Sequence, residues 1–168
     1  MVDPVIVPVG PEAAGELSRL HALCFAPLPE TPWSETAVRT ILHMPGAVAL
    51  TACGPGQGVS GLLIGRKMMD EAEVLTLCVA PDSRKGGLAR TLLQDFISRM
   101  GDQARIALEV AVENEPAIAL YRSMGFSAAG RRPGYYAARG RKIDALVLVR
   151  EPIWDPNSEN REKNLDKS

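Results

Sequence analysis

The sequence predicts an α/β domain with a mixed central sheet flanked by helices, and three observations carry that prediction. Apolar runs of strand length alternate with segments whose apolar residues recur at helical spacing, in the order βααβββαβαββ. The central strand-like runs are joined by connections too short for a crossover, so they form an antiparallel meander. The turn SRKGGLA at 83–89 follows a strand and opens a helix, which is where open α/β sheets gather their ligands.

Val5 to Val9 is a β-rich run. After Pro11, the residues Ala13, Leu17, Leu20, Leu23 and Cys24 give a helix its apolar face. APLPETPW is a proline-rich loop, and Ser34 then caps a second short helix, SETAVRTILH. AVALTAC (47–53) and VSGLLIGRKM (59–68) read as two strands joined across GPGQG, with EVLTLCVA (73–80) as a third. From Gly87 onward, Leu88, Leu92, Leu93, Phe96, Ile97 and Met100 mark one side of a helix. RIALEVAV (105–112) is a buried strand, PAIALYRSM (116–124) a short helix with proline in its first turn, and FSAAGRR and KIDALVLV close the sheet. One domain is expected over 1–152. The remainder, 153–168, ends in DPNSENREKNLDKS and is expected to be a disordered polar tail.

Composition excludes several function classes. The chain has 168 residues, 46% of them hydrophobic and 23% charged, with a formal net charge of -1. That is an ordinary soluble globular composition with no global basic face for nucleic acid. Cys24, Cys53 and Cys78 are widely spaced and form no CxxC, so a disulfide framework or thiolate metal site is not expected, and a reducing cytoplasm is the expected compartment. MVDPVIVPVG lacks the basic start and apolar core of a signal peptide, and no apolar run is long enough to span a membrane. His21 and His43 stand alone and read as helix-face or surface residues, so no metal is expected. GxxxxGKS/T, GxGxxG after a strand, HExxH and GxSxG are all absent, which removes nucleotide-binding, dinucleotide-binding, zinc-hydrolase and serine-hydrolase readings.

Two motifs remain. Arg84-Lys85-Gly86-Gly87-Leu88-Ala89 fits Q/R-x-x-G-x-G/A, and Asn114 to Phe126 fits N-x-x-A-x-x-x-Y-x-x-x-G-F. Together and in this order they resemble the GNAT superfamily of acetyl-CoA-dependent N-acetyltransferases. Pro32-Trp33-Ser34-Glu35, Leu108-Glu109-Val110 and Arg131-Arg132-Pro133-Gly134-Tyr135-Tyr136 leading to Asp144-Ala145 resemble its ribosomal-protein-alanine branch, the RimI type. The resemblance spans about residues 10–150. Ala89 in place of the commoner glycine and the polar tail depart from it.

The resemblance implies the GNAT fold, acetyl-CoA as co-substrate and a protein N-terminus as acceptor, the family's being that of a small-subunit ribosomal protein. The backbone N–H groups of 85–90 would cradle the coenzyme A pyrophosphate, with Gly86 and Gly87 allowing close approach and Arg84, Lys85 and Arg90 adding charge. Leu88 and Ala89 belong to the same turn. Leu77, Cys78 and Val79 are implied backbone contacts of the pantetheine arm, with Cys78 an inert wall residue and the Val79 region supplying a donor to the thioester carbonyl. Asn114 is implied to bind the cofactor, or to cap the next helix, or both.

Glu109 is implied as general base and Tyr121 as general acid toward the departing thiolate. Strand alternation sets Ala107, Glu109 and Ala111 on one face, where small neighbours leave the carboxylate partly desolvated. Trp33, Tyr135 and Tyr136 are candidates to wall an acceptor groove, and Glu35, Asp70, Glu71 and Glu73 to meet a basic acceptor. An α-amine suits such a site: at pH 7 roughly a tenth of it is neutral, against about four parts in ten thousand for lysine. The alternatives are a GNAT enzyme for lysine or small-molecule amines, and an acyl-CoA sensor without turnover. Glu109 and Tyr121 weigh against the sensor.

Overall fold

The computed structural model describes residues 4–28, 30–53, 58–138 and 140–153. Its elements are β1 (Val5–Val9), α1 (Ala14–Phe25), α2 (Glu35–Leu42), β2 (Ala47–Cys53), β3 (Val59–Met68), β4 (Glu71–Val79), α3 (Leu88–Met100), β5 (Arg105–Ala111), α4 (Glu115–Ser123), β6 (Ser127–Ala138) and β7 (Arg141–Arg150), with single 3-10 turns at Pro11–Ala13 and Pro81–Ser83. Among the described residues the strands form one sheet in the order β1-β2-β3-β4-β5-β7-β6. Every neighbouring pair is antiparallel except β4 and β5. The expected mixed sheet and element order are therefore observed. The expected tail lies outside the described residues from 154 onward.

Strand alternation sorts side chains into two cores. Leu50, Leu63, Val74, Ile106, Leu108 and Val110 pack with α3 and with Tyr121 of α4 on one face; Ala49, Leu62, Ile64 and Cys78 pack with α1 and α2 on the other. The α3 face is the expected one, with Leu92, Leu93 and Phe96 fully buried. In α1 the expected face holds at Leu17, Leu20 and Cys24 but not at Leu23. Leu23 is 56% exposed and His21, expected at a surface or helix face, is buried at 2% exposure beside Leu17, Leu20 and Cys24. Ser34 caps α2 as expected, accepting a hydrogen bond from Ala37 N–H at 3.2 Å.

The largest departure from the sequence reading is β6. Its expected strand stopped at Arg132, before Pro133 and Gly134, yet the strand continues to Ala138 with a register jump between Arg132 and Tyr136. Asp144 replaces the lost ladder bonds: its Oδ1 accepts the Gly134 N–H at 2.7 Å and its Oδ2 pairs with Arg131 Nε at 2.7 Å, which hold its carboxyl below the ordinary carboxylate range. The bulge carries Tyr135 and Tyr136 past the proline. No helix among the described residues is long and apolar enough to cross a membrane.

Gly46 closes the turn from α2 into β2 at φ 78°, and its carbonyl accepts the Lys67 N–H at 2.8 Å. A Cβ there would stand 1.9 Å from the Lys67 carbonyl oxygen. The sheet thus approaches this turn too closely for any side chain.

Candidate active site

The parallel pair β4 and β5 stays together only from Glu71–Arg105 to Val74–Leu108, although β4 runs on to Val79 and β5 to Ala111. The two strands part, and the sheet opens. Ala80 N–H donates to Ser60 O at 2.8 Å and Cys78 lies opposite Leu62, so by antiparallel alternation the N–H groups of Leu77 and Val79 are directed away from β3, toward the opening. A cavity of about 150 Å³ occupies it, lined by Leu77, Glu109, Asn114 and Tyr121 together with His21 and Trp33. A larger cavity of about 560 Å³ lies on the α1–α2 side, lined by Glu30, Trp33, Glu73, Glu109, Tyr135 and Tyr136.

At the end of β4 the chain makes an anion cradle. Lys85 has φ 65° and Gly87 φ 82°, so successive N–H groups turn to one side. No side chain caps the start of α3, whereas Ser34 caps α2 and Asn114 caps α4 by accepting Ala117 N–H. A Cβ at Gly87 would meet nothing within 4 Å, and one at Gly86 only Ser83 O at 3.6 Å. The space over the turn is therefore open to a ligand, and the residues fit a pyrophosphate group. The arginines are engaged with the protein. Arg84 Nε donates to Val79 O at 3.1 Å, and Arg90 donates to Ser123 Oγ at 2.8 Å and contacts Met124 Sδ at 3.2 Å. Leu88 is a core residue and Ala89 packs against the same core.

Cys78 faces α1, away from both cavities, and its thiol is pushed up by a hydrogen bond with Cys24 and by burial, which keeps it unreactive. Glu109 projects to the α1–α2 side, its side chain 16% exposed, with Arg132 Nε 2.8 Å from its Oε1. The Tyr135 phenol hydrogen-bonds to Glu109, which raises its pKa, and Arg132 lies over the Tyr135 ring at 5.5 Å. Tyr121 comes from the opposite face at 7% exposure, edge-on to Phe126 at 5.9 Å. Burial first, and then the neighbouring Tyr136 and Cys78, push its pKa up, so it stays a neutral phenol.

Trp33 is fixed by His21. The two rings stack at 4.9 Å, Phe25 stacks on the other side of His21 at 4.1 Å, and the Trp33 backbone N–H donates to His21 Nδ1 at 3.2 Å. Tyr135 and Tyr136 meet edge to face at 5.0 Å. All three expected groove residues line the larger cavity. Of the expected acidic partners, Glu73 lines it, whereas Glu35 pairs with Arg39 at 2.7 Å and Glu71 lies 3.9 Å from Arg105. Asp70 accepts from Arg105 N–H through its backbone.

Burial lowers the His21 pKa to about 4, so the imidazole is neutral in this stack. Because an unfolded histidine protonates near 6.5, the unfolded chain takes up the proton first as pH falls, and stability is lost between about pH 6.5 and about pH 4. The expected loss between pH 7 and pH 5 is about 2 kcal/mol. Urea unfolding at the two pH values should show it, and a His21→Gln variant should lose that share of the acid sensitivity.

The profile of the Acetyltransferase (GNAT) family matches residues 16–126. The chain belongs to the GNAT acetyltransferase family. As a GNAT enzyme it is an acetyl-CoA-dependent N-acetyltransferase, and its mixed central sheet flanked by helices is the GNAT fold. It is 33% identical over 121 residues to the ribosomal protein bS18-alanine N-acetyltransferase of Escherichia coli, covering 70% of this GNAT chain and 80% of that protein. It is 33% identical over 153 residues to the N-alpha-acetyltransferase RimI of Mycobacterium tuberculosis, covering 84% and 93%. An uncharacterized Mycobacterium leprae protein is 44% identical over 95 residues, which are 56% of this chain but 26% of that protein's length. The crystal structure of the Escherichia coli ribosomal-protein-S18-alanine N-acetyltransferase superposes with TM-score 0.81 at 25% identity over 92% of this chain and 98% of that one.

Three features of the GNAT site were not assigned from sequence. Glu30 lines both cavities, His21 builds the wall that holds Trp33, and Arg132 pairs with Glu109. Helical spacing already set His21 on the arc of Leu17 and Cys24, a signal that was available. Nothing in the loop APLPETPW singles out Glu30.

Proposed function

We propose that this enzyme acetylates the α-amine of a protein N-terminus, with the N-terminal alanine of a small-subunit ribosomal protein as acceptor, in the cytoplasm. The observation that carries the reading is that Glu109 and Tyr121 reach one cavity from opposite faces of the sheet, at the opening between β4 and β5. The chemistry needs a proton taken from the amine on one side and a proton delivered on the other, and these groups stand on those sides. The two named N-acetyltransferase relatives described above support the acceptor class.

Acetyl-CoA supplies the acetyl thioester, whose carbonyl carbon bonds to the amine nitrogen as its bond to sulfur breaks. The uncapped N–H groups from Lys85 to Arg90 hold the pyrophosphate, and the β4 backbone at Leu77 and Val79 aligns the pantetheine arm. The Val79 N–H is the donor to the thioester carbonyl oxygen. Glu109 accepts the amine proton, directly or through water, while Arg132 and Tyr135 fix its carboxylate. Tyr121 gives its proton to the leaving sulfur; the uphill part, judged from ordinary phenol and thiol values, is about 2 kcal/mol before the effect of burial. Asn114 shapes the same wall while capping α4. Residues 1–152 make up the catalytic domain in this reading.

Mass gain from acetyl-CoA on three peptides tests it. One begins with free alanine and the ribosomal protein's first residues, one is the same peptide blocked at its N-terminus with an internal lysine, and one begins with methionine. Acetylation of the first, with the blocked peptide unmodified, is the expected result. Acetylation of the blocked peptide would make this a lysine enzyme, and no gain on any peptide would move the acceptor to small-molecule amines.

A further inference from the structure

Among the described residues Glu30 is the one acidic residue that lines both cavities besides Glu109, and the two are not equivalent. Glu109 has Arg132 at 2.8 Å and the Tyr135 phenol as partners. Glu30 Oε2 is shut off from solvent and has no hydrogen-bond partner. Buried polar atoms are nearly always satisfied, and an orphaned carboxylate oxygen inside a ligand cavity marks where a donor is to arrive. The surroundings specify that donor. Glu73 and Glu109 line the same larger cavity, Arg66 there donates its Nε to Pro45 O at 3.3 Å, and Trp33 and Tyr136 supply aromatic surface. Carboxylate beside aromatic faces is the chemistry that holds a desolvated cation.

We propose that Glu30 is the anion that receives the acceptor's ammonium group, docking it between Trp33 and Tyr136 before Glu109 takes its proton. Burial holds the Glu30 carboxyl above its ordinary range and outweighs the lowering by a hydrogen bond from its own backbone N–H, which leaves Oε2 as the oxygen open to a donor. The closeness of Glu30 to Tyr136 shows likewise in the phenol, where its charge is, after burial, the largest influence raising the Tyr136 pKa. Glu30 is thus a binding residue of the acceptor side, supplied by the loop between α1 and α2. The sheet supplies the chemistry and this loop selects the charge of what reaches it. The assignment rests on the acetyl-transfer reading of the site, but not on the acceptor being a protein.

Titration calorimetry on the full chain with coenzyme A present tests it, using three probes: an alanine-initiated peptide with a free α-amine, the same peptide blocked by acetylation and free of lysine, and spermidine as a small polyamine. Wild type is expected to bind the free-amine peptide at least about tenfold more tightly than the blocked one. Glu30→Gln is expected to close that gap by weakening only the free-amine peptide, with acetyl-CoA affinity unchanged. Glu30→Asp, which keeps the charge on a shorter arm, should retain part of the gap, and a purely structural role would not distinguish the two variants this way. A gap that persists in Glu30→Gln overturns the assignment, as does a wild type that binds no probe through its ammonium. If spermidine is the probe that binds and Glu30→Gln loses it, the assignment stands and the protein N-terminus reading falls.

Discussion

Glu109→Gln is expected to lower kcat by about a hundredfold or more while acetyl-CoA binds as in wild type. Glutamine preserves the shape of the side chain and can still accept from Arg132, whose Nε is 2.8 Å away, so the bulge carrying Tyr135 and Tyr136 should keep its place. What is lost is the ability to take the amine proton. Tyr121→Phe is the matching change on the opposite face. It keeps the edge contact with Phe126 and the buried ring but removes the proton for the departing sulfur. Single-turnover acetylation and an independent acetyl-CoA titration separate chemistry from binding. Near-normal rates in both variants would remove the pair from the mechanism.

The largest stability effect is expected far from this chemistry. Gly46→Ala should destabilise the protein by about 3 kcal/mol or more, because it combines a positive φ with a Cβ 1.9 Å from a backbone oxygen that no side-chain rotation can move. For a chain of this size that is a fall in Tm of about 10 °C. Thermal unfolding followed by circular dichroism measures it. A fall under about 2 °C would mean that the turn and the neighbouring Lys67 separate at little cost.

How far the sequence was legible depends on which force acted at each place. The helices and inner strands follow apolar spacing, which is a local record of burial: Leu92, Leu93 and Phe96 are buried as their spacing predicts, and Glu109 faces away from Leu108 and Val110 as alternation predicts. The course of β6 past Pro133 is not legible in the sequence because the bonds that carry it through come from Asp144, ten residues beyond Gly134 in the chain and on another strand. Glu109 and Tyr121 could be picked out because they sit in spaced motifs. The partners that define their surroundings could not, since Arg132, Glu30 and His21 come from three separate elements, the first meeting Glu109 and the other two lining the cavities. His21 is obscured for another reason: its residue type suggests a polar setting while its place on an apolar helical arc sets it in the core.

The parting of β4 from β5 also has a mechanical consequence. Between strands that are consecutive in the sheet, only the stretch from Glu71–Arg105 to Val74–Leu108 stitches the N-terminal half, β1 to β4, to the C-terminal half, β5 to β7. The molecule is therefore a pair of half-sheets joined along a short seam, with α3 packed on the N-terminal half and one apolar cluster continuous beneath both. An extended ligand lying in the rest of that gap would occupy the position of a missing strand edge and brace the halves against each other. On the proposed reading of the site, catalysis lies along the line of least internal cohesion, where a substrate can serve for a time as part of the framework.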